Sequence, residues 1–308
     1  MLRYITLRLL GAIPTMLLII TAAFFLMRVA PGGPFASERA LPPEIEARIL
    51  AHYKLDLPLW QQYLDYLRHI LVGDFGPSFR VRDFTVFELL KTGFPVSLKL
   101  GVLALIVAAV FGIGAGIAAA LRQNTRLDYL VMSSAMTGIA IPNFVMAPLL
   151  TLVLGVYLSW LPVGGWNDGA LRNMILPITA LALPKIAYIA RLTRGSMVET
   201  LRADYVRTAR AKGLRARLVV MRHALKGALL PVVSYLGPAA AAIITGSVVI
   251  ESIFDLPGIG RYFIQGALNR DYTLVMGAVI VYAGLIISLN LLVDIAYGFL
   301  DPKVRYDR

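Results

Sequence analysis

Five stretches of this chain run for 19 residues or more without one Asp, Glu, Lys or Arg: Leu9 to Met27, Leu100 to Leu121, Tyr129 to Asn167, Gly227 to Ile250 and Tyr272 to Val293. About 20 apolar residues in a helix cross the ~30 Å hydrocarbon layer of a bilayer. Backbone polar groups find no water there, so a spanning segment must satisfy them internally, and runs this long do so as helices. A sixth, weaker candidate runs from Met174 to Ala190, interrupted by Pro177, Pro184 and Lys185. The expected fold is therefore an all-α membrane protein with spans at about residues 9–29, 97–121, 129–156, 174–190, 228–250 and 273–297.

Composition supports this class. Hydrophobic residues make up 58 % of the 308 and charged ones 16 %, against roughly 25 % charged in soluble domains. A soluble domain of this length leaves about a quarter of its chain surface exposed and needs more polar residues to cover it. The third stretch is too long for one helix. Trp160, Pro162, Gly164, Gly165 and Trp166 place its second part at the membrane surface, since Pro and paired Gly break helices and Trp favours headgroups. The first span follows Arg3 and Arg8; its length and the lack of a small-x-small site predict an uncleaved helix.

The net charge of +12 would in a soluble protein suggest nucleic acid. Its placement gives a different reading. With the N-terminus inside, the inner connections carry 17 Lys and Arg and the outer ones 10, as basic residues favour the cytoplasmic side. Both termini are expected in the cytoplasm, with no nucleic-acid partner. The inner basic residues also suit anionic lipid headgroups. There are no cysteines, so thiolate chemistry and disulfides are absent.

Residues 30–95 read as a folded outer cap. Pro42 and Pro43 can open a helix through Tyr53. A second helix is expected from Pro58 to Val72, with Trp60, Tyr63, Leu64, Leu67 and Leu71 on one face. That face packs on the membrane core or on a soluble partner.

Residues 191–227 form the most basic connection, with ten basic residues and two acids, Glu199 and Asp204. Spacing predicts amphipathic helices, with Met197, Leu201, Tyr205, Ala209 and Lys212 on one face, and Leu214, Leu218, Met221 and Leu225 on another. Gly213 lies between them as a break or a point of close contact. Charge alone makes this only a solvated inner loop.

The order of residues adds to this. Asp204-Tyr-Val-Arg-Thr-Ala-Arg-Ala-Lys-Gly213-Leu, then Arg222-His-Ala-Leu-Lys-Gly-Ala-Leu-Leu-Pro231, resembles the cytoplasmic loop of ATP-binding-cassette importer permeases in the peptide branch. The general signature opens Glu-Ala-Ala; here those places hold Arg207, Thr208 and Ala209, with Gly213 four residues on. Ala30-Pro-Gly-Gly-Pro34, Leu55-Asp-Leu-Pro-Leu-Trp-Gln-Gln-Tyr63, Gly73-Asp-Phe-Gly-Pro-Ser78, Ile141-Pro-Asn-Phe144, Arg191-Leu-Thr-Arg-Gly-Ser196, Leu256-Pro-Gly-Ile-Gly260, Gly266-Ala-Leu-Asn-Arg-Asp-Tyr272 and Asp301-Pro-Lys-Val-Arg-Tyr306 extend the resemblance to oligopeptide-importer permeases along nearly the whole chain.

The resemblance implies a type I importer permease fold in a bacterial inner membrane. It implies a second, homologous permease subunit, two ATPase subunits and a periplasmic peptide-binding protein as partners. ATP and Mg would be used by the ATPases, with no cofactor bound by this chain. The ATPase-coupling residues it points to are Arg207, Thr208, Ala209, Arg210, Ala211, Lys212, Gly213 and Leu214. Permeases for dipeptides or nickel chelates share much of this loop, so cargo within the family stays open.

No chemistry of the chain's own is expected. There is no Gly-Lys-Ser or Gly-Lys-Thr phosphate loop, no His-Glu-x-x-His helix and no Gly-x-Ser-x-Gly elbow. An ion-coupled carrier, the mechanistic rival, places ionisable residues inside spans. The candidates are Arg28, Lys99, Lys185 and Asp294. Arg28 and Lys99 sit near span ends, where snorkelling is usual. Lys185 and Asp294 sit at matched depth and are expected either to pair, which offsets burial of charge, or to snorkel separately. Pro142, Asn143 and Phe144 are candidates for pathway lining, because a break inside a span frees backbone groups for a cavity; a packing kink is the simpler reading.

Overall fold

The computed structural model describes residues 2–29, 43–81 and 83–300. The Ala30 to Pro34 and Asp301 to Tyr306 motifs and the expected helix start at Pro42 lie outside them. Apart from an isolated bridge between Pro77 and Thr85, the described residues hold no β-structure. Five helices among the described residues are long and apolar enough to cross a membrane, six elements when the bent pair of helices is counted as one span.

Helix α1 (Leu2–Val29) leads to the cap, whose described part holds α2 (Pro43–His52) and α3 (Leu59–Leu71). The cap hairpin then turns into α4 (Val86–Leu121). Thr85 and Glu88 cap this helix reciprocally: Thr85 N donates to Glu88 Oε2 at 2.8 Å and Glu88 N to Thr85 Oγ1 at 3.3 Å, satisfying amide groups a helix start leaves open. Helix α4 begins 11 residues before the expected span and its 36 residues reach about 54 Å. That is longer than the ~30 Å of a hydrocarbon layer.

The third stretch is broken. Helix α5 (Arg126–Ala140) stops at Ile141, and α6 (Asn143–Leu150) starts after Pro142 at an angle of 106°. Pro142 lacks an amide hydrogen and biases the residue before it to extended backbone; Ile141 has ψ 119°. A π-helical turn, Thr151–Tyr157, completes the element. The expected single span at 129–156 is thus two segments.

Helix α7 (Leu171–Leu201) runs unbroken through Pro177 and Pro184 and continues 11 residues past the expected end. It has the lowest hydropathy of the five spans, and half of its apolar window is buried in protein. A helix surrounded by protein needs less apolar surface than one bathed in lipid, which is why its signal is weak. Helix α8 (Asp204–Ala211), α9 (Ala216–Leu218), a π-helical turn at Val219–Ala224 and α10 (Leu225–Ala228) follow. Then come α11 (Leu230–Ile253), α12 (Ile259–Leu268) and α13 (Tyr272–Leu300).

Small residues set the helix spacing. A carbon added to Gly112 would lie 2.7 Å from Ile189 Cβ, and one on Gly116 would lie 2.5 Å from Thr193 Cβ and 2.6 Å from Ala190 O. Gly112 and Gly116 share one face of α4, four residues apart, and let α7 approach closely. Inside a bilayer such packing carries helix association, because lipid is as apolar as the side chains. The central core, with Leu100, Ala108, Leu181, Ile189, Ile243 and Ile250, lies where α4, α7 and α11 meet.

The cap is tied to the spans by polar contacts. Tyr63 OH meets Thr21 Oγ1 at 2.6 Å, and Arg28 Nε donates to Gln62 Oε1 at 3.0 Å. The apolar face of α3 is only partly used: Tyr63 packs its ring on Phe24 and Phe25, while Trp60, Leu64 and Leu71 remain exposed. Within the cap, Lys54 donates to Asp65 at 3.1 Å and holds its carboxyl below the usual carboxylate range.

Candidate functional site

At the end of the bundle opposite the cap, α7 extends past the apolar window and delivers α8. Helix α8 packs by Val206 and Ala209, which join Met197, Val219, Ala224 and Ala228 in a small core of their own. Tyr205 and Lys212, expected on one face with Met197, Leu201 and Ala209, are exposed, as is Met221 in the following segment. That face assumed one continuous helical phase from Met197 to Lys212. The chain breaks at Arg202 and Ala203 as well as at Gly213, where a break was expected, and each break resets which side is buried.

Residues 211–217, Ala-Lys-Gly-Leu-Arg-Ala-Arg, are exposed without interruption. They form a knuckle between α8 and α9. Gly213 is its pivot, with φ +78° and nothing within 4 Å of a carbon added there. Its role within this chain is the left-handed turn after α8 rather than close contact. Of the eight coupling residues the sequence points to, Arg207, Thr208, Arg210, Ala211, Lys212, Gly213 and Leu214 are exposed, and Ala209 is buried. The knuckle exposes Lys212, Arg215 and Arg217 on either side of Leu214 along the chain.

The knuckle stands on a braced base. Asp128, 1 % exposed, accepts from Arg194 Nε at 2.6 Å and Nη2 at 2.7 Å, and from Asn124 N at 2.9 Å. Arg202 Nη2 donates to Gln123 Oε1 at 3.3 Å. The turn between α4 and α5 is thereby fastened to the stem of the knuckle at two points. The planar Arg fork matches a carboxylate with two parallel bonds and fixes direction as well as distance. A carbon on Gly227 would lie 2.9 Å from Tyr205 OH, so α8 and α10 also lie against each other.

At the break between α5 and α6, Pro142 and Phe144 are exposed. Asn143 is half-buried against α11, its Nδ2 3.2 Å from where a carbon on Gly246 would sit. Lys185 is half-buried on α7; the side chain of Asp294, its expected partner, lies outside the described residues. Nearby, Tyr188 stacks on Tyr235 at 4.1 Å with Arg191 over the Tyr188 ring at 5.5 Å, joining α7 to α11.

Residues 1–100 match the family described as the N-terminal part of a binding-protein-dependent transport system membrane component, and residues 112–306 match the binding-protein-dependent transport system inner membrane component. The chain belongs to this family. It is an inner-membrane permease of the binding-protein-dependent importers. It is 57 % identical over 306 residues to the oligopeptide transport system permease protein OppB of Salmonella typhimurium, covering 99 % of this chain and 100 % of that one. It is 45 % identical to the dipeptide transport system permease protein DppB of Bacillus subtilis, covering 99 % and 98 %. Among solved structures it resembles the MetNI methionine ABC transporter in inward-facing form, with TM-score 0.57 and 16 % identity over 69 % of this chain and 96 % of that one. An amino acid ABC transporter gives TM-score 0.52 at 16 % identity, covering 70 % and 94 %. These likenesses show the importer permease fold.

Three features of this permease have no counterpart in the sequence reading. The Asp128–Arg194 pair lies at two span edges, where acids and bases pass for ordinary flanking charge. Asp271 is fully buried and accepts from Ser78 Oγ, Phe79 N at 3.2 Å, Thr273 Oγ1 at 3.0 Å and Leu274 N at 3.2 Å, pinning the cap hairpin to the start of α13. Glu251 is also fully buried, although its place just after an apolar run suggests an outer-loop charge. The signal available was the Leu256 to Gly260 motif, whose two glycines leave room for a neighbour.

Proposed function

We infer that this chain forms half of the pathway of an ATP-driven oligopeptide importer, and that an ATPase subunit docks on the knuckle at residues 211–217. The full-length likeness to OppB carries the cargo reading, and it exceeds the likeness to the dipeptide permease by 12 percentage points over nearly the same length. The continuous exposure of the knuckle supports the docking reading, since an exposed apolar residue flanked along the chain by basic ones has the composition of an interface core and its polar rim.

In this reading both termini face the cytoplasm and the cap faces the periplasm, where a peptide-binding protein delivers substrate. A second, homologous permease subunit completes the pathway. ATP and Mg belong to the ATPase subunits, and this chain catalyses nothing. Its part is mechanical: closure of the ATPases moves the knuckle, and the braced stem of α7 carries that motion to α4 and α5. Pro142, Asn143 and Phe144 belong to the pathway wall, where the broken span meets α11.

Reconstitution of the full assembly in sealed vesicles tests this. Uptake of a labelled tetrapeptide should require ATP, ignore collapse of the proton gradient, and be competed by longer peptides better than by dipeptides. Uptake that follows the proton gradient without ATP would support the ion-coupled carrier instead, and better competition by dipeptides would reassign the cargo.

A further inference from the structure

Lys185 is a cation placed inside a span. It lies 13 residues from Arg172 and six from Arg191 on α7, about 20 Å and 9 Å along the helix axis. It is half-buried, and among the described residues it makes no hydrogen bond or ion pair. Ionisable groups at such depth are costly and face protein or water rather than lipid. Snorkelling to the nearer, inner surface is the usual relief. Here the stem starts the other way, because side chains leave a helix toward its N-terminus, which for α7 is the cap end.

Its neighbours place it on the seam between α7 and α11. Leu181, one turn before Lys185, approaches Gly246 of α11: its Cδ2 lies 3.8 Å from where a carbon on that glycine would sit, and Asn143 Nδ2 lies 3.2 Å from the same point. Tyr188, nearly one turn after Lys185, stacks on Tyr235 of α11. Residues three and four apart share a helix face, so Lys185 falls between these two contacts. Beside them on α11, Ser234 and Thr245 are exposed, as is Arg191 over the Tyr188 ring. Helices α6, α7 and α11 hold only two acids, Glu199 and Glu251, each near the end of its helix. At the level of Lys185 these three helices therefore offer a cation and polar groups but no carboxylate.

We propose that Lys185 takes a carboxylate of the peptide in transit, its C-terminal group or an acidic side chain, with the Asn143 amide and the Arg191 guanidinium as donors before and after it along the seam. The proposal deepens the importer reading above and rests on it. Every peptide with a free C-terminus brings a carboxylate, and an ammonium–carboxylate hydrogen bond gains strength where water is scarce. A lysine is a point charge on a flexible stem, without the two-pronged grip of arginine. It can follow a carboxylate and release it, which suits a passage rather than a resting site.

The test is ATP-driven uptake by the reconstituted complete transporter at saturating binding protein, with labelled tetrapeptides that differ at one internal position, Ala, Asp or Lys. Each variant is compared with the unaltered transporter on the same peptide, so the binding protein's own preference cancels. Co-purifying ATPase reports assembly. Lys185→Met keeps the stem and removes the charge, Lys185→Arg keeps the charge, and Lys185→Glu reverses it. Lys185→Met is expected to assemble and to lower uptake about tenfold, the scale set by loss of one charge-assisted hydrogen bond. A fall for every peptide assigns the contact to the C-terminal carboxylate, and a fall for the Asp peptide alone assigns it to the side chain. Lys185→Arg retains most of the uptake, and Lys185→Glu slows the Asp peptide about tenfold more than the Lys peptide. Unchanged uptake in Lys185→Met overturns the proposal. So does an equal fall for all peptides in Lys185→Glu, which marks Lys185 as a fold residue only. Should Lys185→Met not assemble, Lys185→Gln takes its place, and failure of both to assemble also overturns the proposal. Absence of ATP-dependent uptake of any peptide by the unaltered transporter overturns the importer reading itself, and the proposal with it.

Discussion

Gly213 holds φ +78° with open space around it, and these two facts separate two reasons for a glycine. Asn adopts left-handed backbone at low cost, whereas a β-branched residue does so with strain. Gly213→Asn should therefore retain coupled ATP hydrolysis and Gly213→Val should lose most of it, with both chains inserted normally. Equal loss in both would mean that a partner's close approach, and not the turn, demands glycine. Asp128 offers the complementary case of a side chain that cannot be spared. Asp128 is buried but the Arg194 side chain is 26 % exposed, so losing this charge-assisted contact costs about 1.5–3 kcal/mol. Asp128→Asn should lower the thermal midpoint of the detergent-solubilised chain by several degrees, and Arg194→Lys should cost part of that because Lys cannot reproduce the two-pronged contact. A thermal shift assay on purified protein reads both; unchanged midpoints would show that the pair is not a brace.

At the scale of elements, close helix contact depends on carbon atoms that are missing. Gly116 sits so near Thr193 and Ala190 O that Gly116→Leu should force α4 from α7 and unfold the stem of the knuckle, costing several kcal/mol by overpacking. Proteolysis of membrane-inserted chains would show it as new cleavage between residues 201 and 217; a protected knuckle in that variant would contradict the packing account. The elements themselves were legible unevenly. Charge-free runs revealed α1, α4, α11 and α13, because lipid-facing helices must be apolar all round. Helix α7 was faint because protein and not lipid surrounds much of it, and the 106° break at Pro142 was legible as a possibility only, since proline permits a bend without setting its angle. The knuckle was found by residue order, but which of its side chains face inward depends on two backbone breaks that no single period describes. Glu251 and Asp271 were hidden because acids beside a span are usually solvated, and only the folded chain shows what closes over them.

As a whole the molecule is a bundle with a different task at each end. Around the cap end, Asp271, Glu251 and Arg28 fasten loops to spans. At the opposite end the Asp128–Arg194 pair stiffens a stem whose tip is left bare. A bare tip on a stiff stem is what a docking element needs, because motion applied there reaches the spans without being absorbed in the loop. The chain has no cysteine, so one introduced thiol is unique and its neighbour can be captured. The most direct measurement is a crosslink from Leu214→Cys in the assembled transporter, with Val206→Cys as the buried control. The account predicts an adduct with the ATPase subunit from position 214 whose yield changes between nucleotide-free and ATP-bound states, and none from position 206. An intact, active assembly in which position 214 captures no ATPase in either state would contradict it.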